Sequence, residues 1–169
     1  MDVIKKANGT VRAVGSGHSF SALVPTEGTI VSLANFTGVL AHDVATLQAE
    51  IGAGMRIADL GAPLQKIGQA LPNMADIDYQ TLAGAISTST HGTGPAYGSY
   101  SSTVTGLRLV TAKGEVLDLD AQRQPAVFDA ARCSLGSLGV ITRIKLQNRK
   151  AFRLRRKEWI GNTEELLEQ

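Results

Sequence analysis

Three short segments combine glycine with hydroxyl residues densely enough to do chemistry: Gly15-Ser16-Gly17-His18-Ser19, Thr88-Ser89-Thr90-His91-Gly92-Thr93-Gly94 and Ser134-Leu135-Gly136-Ser137-Leu138-Gly139. None of them contains a lysine or an arginine. Loops of this kind can turn successive backbone N–H groups and hydroxyls toward phosphate oxygens, binding an anion without a formal charge. A diphosphate shared between two such loops would suit a dinucleotide. A single glycine loop is most often a surface turn; three of matching chemistry argue for a common ligand. The two familiar nucleotide motifs are absent. The first loop continues to Phe20 where a Rossmann fingerprint needs its third glycine, and no G-K-[ST] ending of a P-loop occurs. A dinucleotide held here would need another architecture.

The histidines divide by context. His18 follows directly on two glycines, where backbone approaches a ligand closely and an imidazole can project into it. A lone loop histidine is more commonly a hydrogen-bonding residue, and His91 reads as one that fixes its loop. His42, beside Asp43, falls in a polar connection and reads as surface. No short ligand pair such as H-x₃-H or C-x₂-C exists, so no metal site is expected. Cys133 falls among Ala130, Ala131 and Leu135, which predicts a buried, inert thiol within a helix. Arg149, Lys150, Arg153, Arg155, Arg156 and Lys157 form a basic run, but only Phe152 and Trp159 accompany it. It reads as a solvated strand face or a surface meant to meet further sequence, not as a nucleic-acid site.

These residues must be positioned by a mixture of strands and helices. Apolar runs predict strands at Thr10 to Val14, Thr29 to Leu33 and Thr46 to Ile51. Arg56 to Ala70 carries Ile57, Leu60, Leu64 and Ile67 near helical spacing, and Leu71-Pro72-Asn73 ends that helix. Gln80 to Thr88 is a short run of small and apolar residues. Thr103 to Leu119 reads as a hairpin turning at Ala112-Lys113-Gly114-Glu115. A helix starts near Pro125, with Val127, Phe128, Ala131 and Leu135 on one side. Val140 to Leu146 and Phe152 to Ile160 read as strands, and Asn162 as the cap of a last helix with Glu165 at its third position. The expected class is α+β, without strict βαβ alternation.

Bulk properties narrow the classes. Glycine, at 18 of 169 residues, is about 11% against an average near 7%, so tight turns and close backbone approaches are expected. A net charge of +2 gives no general reason to expect nucleic acid or an anionic membrane as partner. One cysteine excludes an intramolecular disulfide framework. Neither a signal peptide nor a run of about 18 apolar residues is visible. The expectation is a soluble, cytoplasmic chain of unknown oligomeric state.

At the glycine segments a family resemblance appears. Val11-Arg12-Ala13-Val14-Gly15-Ser16-Gly17-His18-Ser19-Phe20 resembles the first cofactor loop of the vanillyl-alcohol-oxidase-type flavoproteins. Within them it is most similar to the branch of L-gulonolactone oxidase, D-arabinono-1,4-lactone oxidase and alditol oxidase. Leu71-Pro72-Asn73, Asp76-Ile77-Asp78 and the stretch from Gln80 to Gly94 resemble that branch's longest motif, and Ser134 to Thr142 its adenine-side loop. The three occur in the family's order.

The resemblance implies a PCMH-type FAD-binding domain of two α+β subdomains with FAD between them, over residues 1–148. Residues 149–169 would begin the connection to a substrate, or cap, domain. Set beside the family, the chain reads as lacking the first strand region and ending before that cap. His18 matches the histidine that bonds covalently to the flavin 8α-methyl, and Gly15, Ser16, Gly17, Ser19 and Phe20 would line flavin and diphosphate. Gly84, Ser87, Thr88, Thr90, His91, Gly92 and Thr93 match the second cofactor wall; Gly139, Val140 and Ile141 match backbone contacts near the adenine. The implied activity is oxidation of a CH–OH group of a sugar lactone, sugar or polyol, with hydride passing to the flavin and on to oxygen or another acceptor. No residue is assigned as catalytic base. The alternatives are a flavin-binding module or remnant without turnover, and a related flavoprotein acting on another alcohol or hydroxy acid.

Overall fold

Strand pairing explains most of the architecture of the computed structural model, which describes residues 2–168. Met1 and Gln169, the outer ends of the two expected divisions, lie outside the described residues. After helix α1 (Asp2–Lys6), β1 (Val11–Val14) pairs in parallel with β2 (Thr29–Ser32), Val11 opposite Thr29 and Val14 opposite Ser32. Parallel neighbours need a long crossover, and here it is the segment 15–28, which begins with the first glycine loop. The remaining main strands are β3 (Val39–Asp43), β4 (Gln48–Gly52), β6 (Val104–Val110), β7 (Val116–Asp120) and β8 (Val140–Gln147). They form one antiparallel sheet in the order β3-β4-β8-β6-β7.

The two faces of this sheet differ. Ala49, Ile51, Leu107, Leu109, Leu119, Ile144 and Leu146 are buried and share one core. That core also takes in Ile57, Leu60 and Leu64 of α2 (Ile57–Lys66), Leu82, Ala85 and Ile86 of α3 (Leu82–Ser87), and Phe128 and Ala131 of α4 (Pro125–Ala131). The opposite face carries ion pairs. Arg108 Nε and Nη2 donate to both carboxylate oxygens of Asp118, directly opposite it, at 2.7 and 2.8 Å. Arg143 Nη1 donates to Glu50 at 3.0 Å. One apolar and one solvated face is the usual condition of an antiparallel sheet.

Several expected boundaries move, each for a local reason. The helix expected over Arg56 to Ala70 is α2, with Arg56 as its N-cap; it stops at Lys66 because Gly68 turns left-handed at φ +72°. Gln69–Ala70 then forms a short strand, β5, against Arg149–Lys150, β9. His42 and Asp43, expected in a polar connection, lie instead on an edge strand, β3, where His42 is exposed. Gln80 to Thr88 contains α3, capped by Thr81. The strand expected at Phe152 to Ile160 is not formed: these residues have no regular structure and are exposed. They pair with no strand among the described residues. The last helix, α5 (Thr163–Leu167), is capped as expected, Asn162 Oδ1 accepting from the Glu164 N–H at 3.0 Å. Cys133 lies beyond the end of α4 and is exposed, in contrast to the buried helical thiol expected. Its Sγ reaches the Ser87 carbonyl at 3.4 Å.

Two outcomes test this account. Ile144 is fully buried on the central strand β8, and Ile144→Ala is expected to cost roughly 2–5 kcal/mol. Urea unfolding should show a lower midpoint with an unchanged slope. The hydrogen bond from Arg108, and its charge, hold the Asp118 carboxyl below the usual carboxylate range. The pair's contribution is therefore full above the unfolded carboxylate value and is lost as pH falls through the lower folded value. Asp118→Asn should flatten the acid limb of a stability–pH curve without moving its neutral plateau by more than about 1 kcal/mol.

Candidate functional site

A cleft of about 420 Å³ opens where the loop after β1, the end of β2, the start of α2, α3 and the loop before β8 converge. That is within the range of roughly 300–1,000 Å³ common for ligand sites. Its sides are small: Gly15, Ala34, Ala53, Gly54, Ala83 and Gly84 all line it.

Thr81 organises the meeting point. As N-cap of α3 its Oγ1 accepts from the Gly84 N–H at 3.3 Å, its backbone bridges to Arg56, and its carbonyl accepts from Ala85. The Gly15 backbone approaches so closely that a Cβ there would stand 2.5 Å from Thr81 Oγ1. Only glycine allows that approach without displacing the cap.

The three glycine segments do not use their amides alike. The N–H groups of residues 16–20 donate to no other described residue, so the first loop offers them to whatever occupies the cleft. In the second segment Ser89 turns left-handed (φ +54°), its N–H bonding Ile86 and that of Thr90 bonding Ala85. This is the Schellman closure of α3, and it takes up two of this segment's amides, those of Ser89 and Thr90. In the third, the Leu135 N–H donates to Ser87 at 3.3 Å and that of Ser137 to Ser134 at 2.9 Å, which ties this loop to the end of α3.

Of the expected site residues, Gly15, Ser16, Gly17, His18, Ser19, Gly84, Ser87, Thr88, Gly139 and Ile141 line the cleft together. His18 stacks toward Tyr79, ring centroids 6.4 Å apart and planes at 19°. The other six do not line it. Phe20 is fully exposed, and Val140 is buried in the core, between the cleft-lining Gly139 and Ile141. Thr90 Oγ1 instead joins Thr88 Oγ1 and Gln80 Nε2, each at 3.1 Å. His91 Nδ1 meets the Gly92 carbonyl at 2.9 Å, and the Thr93 carbonyl accepts from Asn73 at 3.0 Å. His91 and Gly92 border a separate hollow of about 30 Å³ beside Tyr100. Burial raises the Tyr100 phenol above its usual value, opposed by the hydrogen bond it accepts from the Ala75 N–H.

The cleft adds residues that sequence reasoning left out. Among the described residues Arg56 and Asp59 carry the only fixed charges in its lining, and Gln80 and Thr81 are further polar groups of it. Thr81 had a readable signal, a hydroxyl residue directly before the apolar pair that opens a helix. Arg56 had none beyond its place at a helix start.

A cleft of small residues with open backbone amides, on this α+β frame, is suited to a nucleotide cofactor. Residues 1–120 match the model of the family described as FAD binding domain, and the chain belongs to that family. The chain is 41% identical over 146 residues to an L-gulono-1,4-lactone dehydrogenase of Mycobacterium tuberculosis (strain ATCC 25618 / H37Rv), covering 86% of this chain and 33% of the relative. Identity to a D-arabinono-1,4-lactone oxidase of Eremothecium gossypii is 39% over 163 residues, covering 94% and 31%. To the L-gulonolactone oxidase of Bos taurus it is 35% over 164 residues, covering 97% and 37%. The crystal structure of 6-hydroxy-D-nicotine oxidase from Arthrobacter nicotinovorans superposes with a TM-score of 0.73 at 26% identity, over 83% of this chain and 31% of that one. The chain thus spans about a third of the length of these proteins. No described helix is long and apolar enough to cross a membrane.

Gly15→Ala and Thr81→Ala should prove coupled. Thr81→Ala alone is expected to cost about 1 kcal/mol through loss of the cap, and Gly15→Ala more, through the overlap. The double variant should lose at least about 0.5 kcal/mol less than the sum. Simple additivity in thermal or urea unfolding would refute the contact.

Proposed function

We propose that this chain is the cofactor-holding part of a flavoenzyme that oxidises a CH–OH group of a sugar lactone, or of a related sugar or polyol. The observation that carries the reading is the convergence in one cleft of residues 16–19 with open amides, the His18 imidazole and the small side of α3. FAD fits this donor set: its diphosphate needs N–H donors without bulky side chains, and its ring system needs a shallow apolar wall. When bound, FAD accepts the hydride at N5 and passes the electrons to oxygen or another acceptor.

The residues divide the work. Gly15, Ser16, Gly17 and Ser19 hold the diphosphate through backbone and hydroxyl groups, and Gly84, Ser87 and Thr88 form the facing wall. Gly139 and Ile141 border the adenine. His18 would be the point of covalent attachment, an imidazole nitrogen being a suitable nucleophile for the electrophilic 8α-methyl of the flavin. Its part is tethering: no residue of this chain is assigned proton abstraction. The lactone names of the relatives support the substrate class, since these proteins are 35–41% identical to this chain over most of its length.

Intact-mass spectrometry after incubation with FAD tests the attachment. The expected result is a gain of one FAD that survives denaturation in the unaltered chain and is absent from His18→Ala. FAD that binds but is released on denaturation would refute the covalent link and leave the cofactor site standing. A chain that takes up no FAD would refute both. A protein carrying this chain that holds FAD yet reduces it with no aldonolactone or polyol would favour the module without turnover.

A further inference from the structure

We infer that Arg56 is the side chain that neutralises the cofactor's diphosphate, an inference that rests on the FAD reading above. The glycine segments contain no lysine or arginine, so backbone amides alone would face two negative charges. The fold corrects this from a distant segment. Arg56 bridges to Thr81, and Thr81 Oγ1 lies against the Gly15 backbone, so a single residue separates the arginine from the loop with open amides. The neighbouring Ile57 N–H bonds the Gln80 carbonyl at 3.0 Å, which fixes this start of α2 to the same wall.

Two further observations agree. Arg56 is an exposed residue that lines the cleft, and it makes no ion pair with any described residue. Asp59, the other charged residue of the lining, sits three positions on and does not neutralise it. Arginines 108, 123, 132, 143 and 156 each hold a carboxylate, and of the arginines without an ion pair among the described residues only Arg56 lines the cleft. A guanidinium left open at the lip of an anion site can form two parallel N–H···O bonds with phosphate oxygens, which an ammonium cannot match.

The test uses the His18→Ala background, where FAD exchanges freely. Arg56→Gln and Arg56→Lys are compared by FAD titration at two salt concentrations and by phosphorus-31 NMR of the bound cofactor. Arg56→Gln is expected to weaken FAD about tenfold or more at low salt and to reduce the salt dependence of binding. It should also shift the diphosphate resonances while leaving the flavin absorption bands in place. Arg56→Lys should recover part of the affinity and the salt dependence. Unchanged affinity and unchanged phosphorus resonances in Arg56→Gln would overturn the assignment, as would a change confined to the flavin bands. If the parent protein binds no FAD, the cofactor reading itself fails, and that result is distinct from FAD bound with an affinity indifferent to residue 56.

Discussion

Thr81 stands where three parts of the chain meet, and the cleft depends on it. One side chain caps α3, and the same oxygen sets how near the loop after β1 can come. Its backbone holds the entry to α2. A hydroxyl at an N-cap is common; here its position also fixes the separation between two sides of a binding site. The small residues around it follow from that constraint. A side chain at position 15 would stand in the space of the Thr81 hydroxyl.

The division of labour among the glycine segments follows from backbone accounting. An N–H must be paired or left facing solvent or a ligand. The second and third segments spend several of theirs on α3 or within their own turns. The first leaves its amides open toward the cleft side of the fold. Segments of nearly the same composition thus serve opposite purposes, and only their tertiary surroundings decide which.

That is also where sequence reading reached its end. β1, β2, β4, β8, the hairpin and α4 were legible because apolar periodicity and a proline at the first helical position mark them directly, whereas β3, exposed along most of its length, carries no such signal. Gly15 to Ser19 were legible as a loop poised for a ligand, and they line the cleft. Thr90, His91, Gly92 and Thr93 looked equivalent to them, but helix closure draws them away from it, and no local signal announces a Schellman turn formed by serine. Val140 and Ile141 were taken together although only Ile141, with Gly139, faces the cleft. Arg56 was invisible as a site residue because its meaning lies in a bridge to Thr81, far along the chain. The strand expected at Phe152 to Ile160 did not form, because an extended segment needs a neighbouring strand to become part of a sheet.

The five-stranded sheet is open, and its two rims differ in a way that bears on solubility. At one rim, β3 has a register break between Val39 and Ala41, and such a bulge twists an edge out of line with any incoming strand. At the other, β7 carries Asp118 and Asp120, each engaged by an arginine, so an approaching backbone would meet a fence of fixed charge. One rim is bent and the other is guarded. A fold whose core sheet cannot close into a barrel thereby avoids offering itself as a template for aggregation.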